Sequence, residues 1–144
     1  MTIDPAMETA IQERIAASAF SQWMGMRLIS VDDGSCELAI DIQEHHLNPG
    51  GIVHGGIVAT ILDAAIGLAL RTTIGMSSHV TVQLDVHYLT PAVSGALIGR
   101  GKAVRTGNRM GYGEGRAYTE DGRLVATAGA TFLVVTPKAT PAGD

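Results

Sequence analysis

The chain shifts between two hydrophobic rhythms. In residues 8–20 (ETAIQERIAASAF), Ile11, Ile15 and Ala19 recur at helical spacing with charges between them, which predicts a short amphipathic helix. Residues 26–32 and 35–43 read as two strands joined at Asp33-Gly34, a dipeptide suited to a hairpin. In the second strand Cys36, Leu38, Ile40 and Ile42 alternate with Ser35, Glu37 and Asp41, so Cys36 is expected to face the core as an inert packing residue. Residues 44–54 (EHHLNPGGIVH) are rich in Pro, Gly, Asn and His and predict a loop. The next stretch, GGIVATILDAAIGLALR, is apolar on every side, and such a helix has to be wrapped by the rest of the protein.

After that helix the rhythm becomes two. Val80, Val82, Leu84, Val86 and Tyr88 alternate with Thr81, Gln83, Asp85 and His87, which predicts a strand with Thr81 on its polar face, ended by Pro91. Further strands are expected at about 96–105, 110–119 and 124–135, with turns at Gly107-Asn108 and Asp121-Gly122. The last residues, 137–144, read as a frayed tail. No repeat or second domain interrupts residues 1–144, and a core of about 20–136 is expected. Together these elements predict an α+β fold, one curved antiparallel sheet wrapped around a long central helix. The outer face of that sheet still needs cover, which at least a dimer would supply in part.

Composition narrows the picture. A length of 144 residues with 46% apolar and 17% charged residues suits one folded domain, and with 4% aromatics its core must be aliphatic. A net charge of −4 gives no general attraction to nucleic acid or anionic membranes. The charge is uneven: residues 1–44 carry eight acids and two bases, and six of the ten Lys and Arg fall between residues 100 and 123. That basic cluster suits a phosphorylated small ligand, or simply solvated strand faces. A single cysteine rules out an intrachain disulfide and fits a reducing compartment. The N-terminus has no basic and apolar signal pattern, and the apolar run Gly55 to Leu70 is too short to span a bilayer, so a cytoplasmic protein without a membrane partner is expected.

The informative residue is Asp63, a carboxylate inside an apolar helix, which is costly unless paired or hydrogen-bonded. The bland alternative is an interfacial Asp bonded to a backbone amide. At the helix start, His54-Gly55-Gly56 offers free N–H groups and the positive end of the helix dipole, which can polarise a carbonyl. Gly55 and Asp63 are eight residues apart, about 12 Å along one helix, so one carbonyl cannot touch both. If both act on the same carbon they belong to different subunits, with antiparallel helices across a two-fold axis. Asn48 can donate or accept, or merely close an Asx turn before Pro49. Thr81 can orient a water or a carboxylate, or serve only strand propensity. The five histidines have no metal-site spacing, so no metal is expected, and neither a Gly-x-Ser-x-Gly elbow nor a P-loop is present.

The stretch HLNPGGIVHGGIVATILDAAIGLAL, followed by VTVQLDVHYLTPAVSG and GRGKAVRTGNRMGYGEGRAYTEDGRLVATAGATFLVV, resembles the hotdog-fold acyl-CoA thioesterases of the PaaI-like branch of the 4-hydroxybenzoyl-CoA thioesterase superfamily. The likeness spans about residues 20–136. It implies hydrolysis of an acyl- or aryl-CoA thioester, with coenzyme A as part of the substrate and no separate cofactor. The family's catalytic positions fall on Asp63, Gly55, Asn48, His54 and Thr81, the last a Ser in some relatives. Gly56 completes the helix start, and Lys102, Arg105 and Arg109 are candidates for the CoA phosphates. The resemblance also implies a homodimer with shared sites, paired into a homotetramer. Two other classes remain open on the residues: a hotdog acyl-CoA hydratase or dehydratase using His54 and Asp63, and a non-catalytic acyl-CoA-binding protein.

Overall fold

The computed structural model describes residues 2–75 and 77–137. Its elements are α1 (Pro5–Ala17), α2 (Ala19–Met24), β1 (Arg27–Asp32), β2 (Ser35–Asp41), a 3-10 turn (Glu44–His46), α3 (Gly55–Arg71), β3 (Ser78–Tyr88), β4 (Ala96–Thr106), β5 (Met110–Thr119) and β6 (Leu124–Val135). The strands form one sheet in the order β1-β2-β4-β5-β6-β3, every neighbouring pair antiparallel. The hairpin at Asp33-Gly34 forms as expected and is tied to the end of α3, where the Thr72 hydroxyl accepts from the Gly34 N–H at 2.7 Å. The frayed tail expected at the C-terminus lies, from residue 138 on, outside the described residues.

The helix expected at 8–20 is two helices. Asp4 caps the first, its carboxylate accepting from the Ala6 N–H at 2.9 Å with Pro5 at the first helical position. Ser18 breaks the run: its backbone is extended, its N–H closes α1 on the Ile15 carbonyl, and its hydroxyl caps α2 through the Ser21 N–H at 3.1 Å. Within the loop of 44–54, the 3-10 turn buries His46, whose Nδ1 accepts from the Gln43 N–H at 3.0 Å. Burial, followed by the neighbouring His45, holds the His46 pKa below its ordinary value. Cys36 is buried, and desolvation beside Glu37 pushes its thiol up to about 12, as suits an inert core residue.

One face of α3 supplies the centre of the core. Ile57, Ile61, Leu62, Ala65, Ile66 and Leu70 are buried against the sheet, each large side chain contributing about 1.5–3 kcal/mol. The strands beneath them carry glycine at every second position. A Cβ on Gly101 would lie 2.2 Å from the Ala65 carbonyl oxygen, one on Gly113 2.5 Å from Ile66, and one on Gly111 2.6 Å from Leu70. Gly99 and Gly115 meet Ile61 and Ile66 in the same way. The missing side chains let the helix sink onto β4 and β5 to backbone contact.

The opposite face of α3 is not wrapped, contrary to the expectation from its apolar sequence. Ala59, Thr60, Asp63, Ala64 and Leu68 stay half-exposed, because the sheet reaches only one side of the helix and α1 and α2 border the other without covering it. The alternation expected in β3 also fails over its first half. A bulge between Thr81 and Gln83 resets the phase. Leu84 and Val86 pack on the core, whereas Val80 and Val82 are 53% and 59% exposed, and His79 and Thr81 turn toward α3 instead.

Candidate active site

The start of α3 is built by His54. Its side chain caps the helix, Nδ1 accepting from the Gly56 N–H at 3.0 Å, while its carbonyl accepts from the Ile57 and Val58 N–H groups at 2.9 and 3.3 Å. The Gly55 N–H is left without a partner among the described residues, at the positive end of a 17-residue helix. Gly55 also makes a close contact the sequence did not reveal. The Tyr88 hydroxyl donates to the Gly55 carbonyl at 2.7 Å, and a Cβ on Gly55 would lie 3.3 Å from the Tyr88 ring. Asn48 closes an Asx turn around Pro49, its side-chain oxygen accepting from the Gly50 and Ile52 N–H groups at 2.9 and 3.3 Å. Its amide nitrogen has no partner among the described residues. Asn48, Gly55 and Gly56 share the wall of a cavity of about 550 Å³.

Asp63 lies two turns further along, on the open face of α3. The Thr81 hydroxyl donates to its Oδ1 at 2.8 Å, a contact that exists because the bulge turns Thr81 inward. Both residues line a second cavity, of about 470 Å³, together with Arg14, Leu68, His79 and Phe132. The His79 ring rests on Phe132 at 5.1 Å between centroids. Burial foremost, then Arg71 and Arg14, hold its pKa below the ordinary value, although Asp63 pulls the other way. At neutral pH the ring is uncharged.

Five of the expected site residues thus group into two half-sites on one chain: Asn48 and Gly55 in the wall of the first cavity, with His54 capping the helix start behind them, and Asp63 with Thr81 at the second. Gly56 belongs to the first but has lent its N–H to the His54 cap. The cavities have no lining residue in common. The basic candidates reach neither. Lys102 projects from the outer face of the sheet, its neighbour Gly101 being the one against the helix. Arg105 pairs with Tyr112 beyond a second bulge, and Arg109 sits in the β4–β5 turn. The cation that does border Asp63 is Arg14, which comes from α1 and could not be placed there from spacing along the chain. Among the described residues no cluster of three or more His, Cys, Asp or Glu is placed to hold a metal ion, and no helix is long and apolar enough to cross a membrane.

A six-stranded antiparallel sheet curled on a single long helix is the hotdog fold. The model of the thioesterase superfamily matches residues 50–126, which run from the loop before α3 into β6, and the chain belongs to that superfamily. Among its relatives is the medium/long-chain acyl-CoA thioesterase YigI of Salmonella typhimurium, 25% identical over 93% of this chain and 97% of that protein. A thioesterase family protein from Silicibacter pomeroyi superposes with a TM-score of 0.86 at 26% identity, over 91% of this chain and 99% of the other. The PaaI protein of Escherichia coli shares the fold, with a TM-score of 0.84 at 18% identity over 93% and 96% of the two chains.

Proposed function

We propose that this protein hydrolyses an acyl-CoA thioester to the free acid and coenzyme A, at sites formed between two copies of the chain. The observation that carries the reading is the split just described: a free amide at the start of α3 and a hydroxyl-supported carboxylate about 12 Å further along the same helix. Neither half suffices for acyl transfer. The Gly55 N–H, helped by the Asn48 amide, polarises the thioester carbonyl and holds the oxyanion as it forms. Asp63 of the partner subunit takes a proton from a water whose oxygen bonds to the carbonyl carbon, or itself attacks that carbon to form a mixed anhydride that water then cleaves to the acid; in either course the C–S bond breaks and the thiolate leaves, taking up the proton that water gives. Thr81 holds that carboxylate in position.

The sheet supports this pairing. β3 is an edge strand bonded only to β6, with Thr81 and Asp63 at its start and Tyr88 and Gly55 at its end. Two such edges joined antiparallel about their middles would lay the start of one beside the end of the other. Each first cavity then opens into its partner's second cavity, and the unpaired edge groups are satisfied. The name of the relative YigI fits an acyl-CoA substrate. The hydratase alternative is less well supported, since the His54 ring is held as a helix cap. The test is thiol release from acyl-CoA esters by Asp63→Asn: a folded variant with undiminished hydrolysis removes Asp63 from the chemistry.

A further inference from the structure

One strand serves both half-sites. β3 gives a hydroxyl to each: Thr81 donates to the Asp63 carboxylate at 2.8 Å, and Tyr88 donates to the Gly55 carbonyl at 2.7 Å. The backbone that carries Tyr88 is well seated. It pairs with the buried Ala126 on β6, and the next N–H, that of Leu89, donates to the Val125 carbonyl at 2.8 Å. Gly55 is held far less. It opens α3, its N–H has no partner among the described residues, and without a Cβ its own backbone is weakly restrained. Tyr88 is 54% exposed, so water could satisfy its hydroxyl and burial does not force the bond to Gly55.

We infer that Tyr88 is a positioning residue for the thioester carbonyl: by holding the Gly55 carbonyl, it fixes the direction of the Gly55 N–H. The inference rests on the thioesterase reading above. The N–H and the carbonyl of Gly55 flank one α-carbon, so pinning the second limits the swing of the first. A donor fixed in advance costs no reorganisation as charge develops on the carbonyl oxygen, whereas a free first residue of a helix has to be ordered at that moment. The contact is close. A Cβ on Gly55 would lie 3.3 Å from both the Tyr88 hydroxyl and its ring carbon Cζ, so the phenol rests against the glycine and a larger residue would crowd it. Tyr88 and Gly55 line the same cavity, which leaves the amide open to a ligand while the phenol holds it from the side of the carbonyl.

Tyr88→Phe removes the hydroxyl and keeps the ring. It should lower kcat for acyl-CoA hydrolysis about 10-fold, with KM changed less than about two-fold and the urea midpoint in place. A ketone analogue of the substrate, with a methylene group for the thioester sulfur, reports the polarisation directly. Its carbonyl stretch should lie at lower frequency on the wild-type protein than in water and move back up on Tyr88→Phe. Thr81→Val, which acts on the other half-site, should leave that stretch where it is. Gly55→Ala keeps the amide but crowds the phenol, so adding Tyr88→Phe to it should cost no further kcat. An unchanged kcat and stretch in Tyr88→Phe, a loss of kcat that tracks a lower urea midpoint, or additive losses in the double variant would overturn the role of Tyr88 while the thioesterase reading stands. A wild-type protein that neither hydrolyses acyl-CoA esters nor binds the ketone would overturn both.

Discussion

The two faces of α3 make opposite use of the same kind of sequence. Toward the sheet, Ile61, Ala65 and Ile66 press onto glycines so closely that the backbones of helix and strand touch. Away from the sheet, Ala59, Ala64 and Leu68 are equally apolar yet half-exposed, and among them stands Asp63. A carboxylate on the first face would be desolvated without a partner; on the second it keeps a hydroxyl and an open cavity. The helix is divided by face: one side is seated on the sheet, and the other leaves Asp63 and a seam of apolar surface open.

Substitutions on each face separate these roles. The largest effect is expected from Asp63→Asn, with kcat for thioester hydrolysis falling about 10²- to 10⁴-fold while the urea unfolding midpoint barely moves. Gly101→Val is the converse. Its side chain would be built into the Ala65 backbone, and unfolding should need roughly 3 kcal/mol less, read as a lower urea midpoint. A stable Gly101→Val protein would show that the helix is not seated as closely as described. Thr81→Val comes next, with kcat down about 10-fold, the value of one partly exposed hydrogen bond to a charged group, and stability unchanged. The smallest effect is titration of the buried loop. With the pKa of His46 lowered in the fold, the unfolded chain binds protons first, so stability is complete above the ordinary histidine value and declines as pH falls through about 6.5. The urea midpoint should be lower at pH 5 than at pH 7, and His46→Asn should flatten that slope.

Much of this was legible along the chain. The bounds of α3 follow from a continuous apolar stretch opened by His54, and β4, β5 and β6 from clear turn signals at Gly107-Asn108 and Asp121-Gly122. Asp63 stood out because nothing else in its helix is charged before Arg71. What escaped has a common cause, namely contact between segments distant in sequence. The glycines of β4 and β5 look like weak strand formers until a helix some thirty to fifty residues earlier is laid on them. Tyr88 acquires its role from Gly55, 33 positions away. Arg14 reaches Asp63 only through the packing of α1. Ser18 was hidden for a local reason, since a serine among alanines continues a helical pattern as readily as it caps a new one.

The bulge in β3 has a consequence for how such a gene can change. Thr81 pairs with Phe132 and Gln83 with Thr131, which leaves Val82 as a surplus residue facing nothing on β6. Losing its codon would restore strict alternation and still aim His79, Thr81, Leu84 and Val86 at the helix. A codon lost between Thr81 and the start of the strand, or beyond Leu84, would reverse every side chain on one side of the gap. β3 is therefore expected to tolerate a shortening only at Val82 or Gln83, beside the hydroxyl that bonds Asp63.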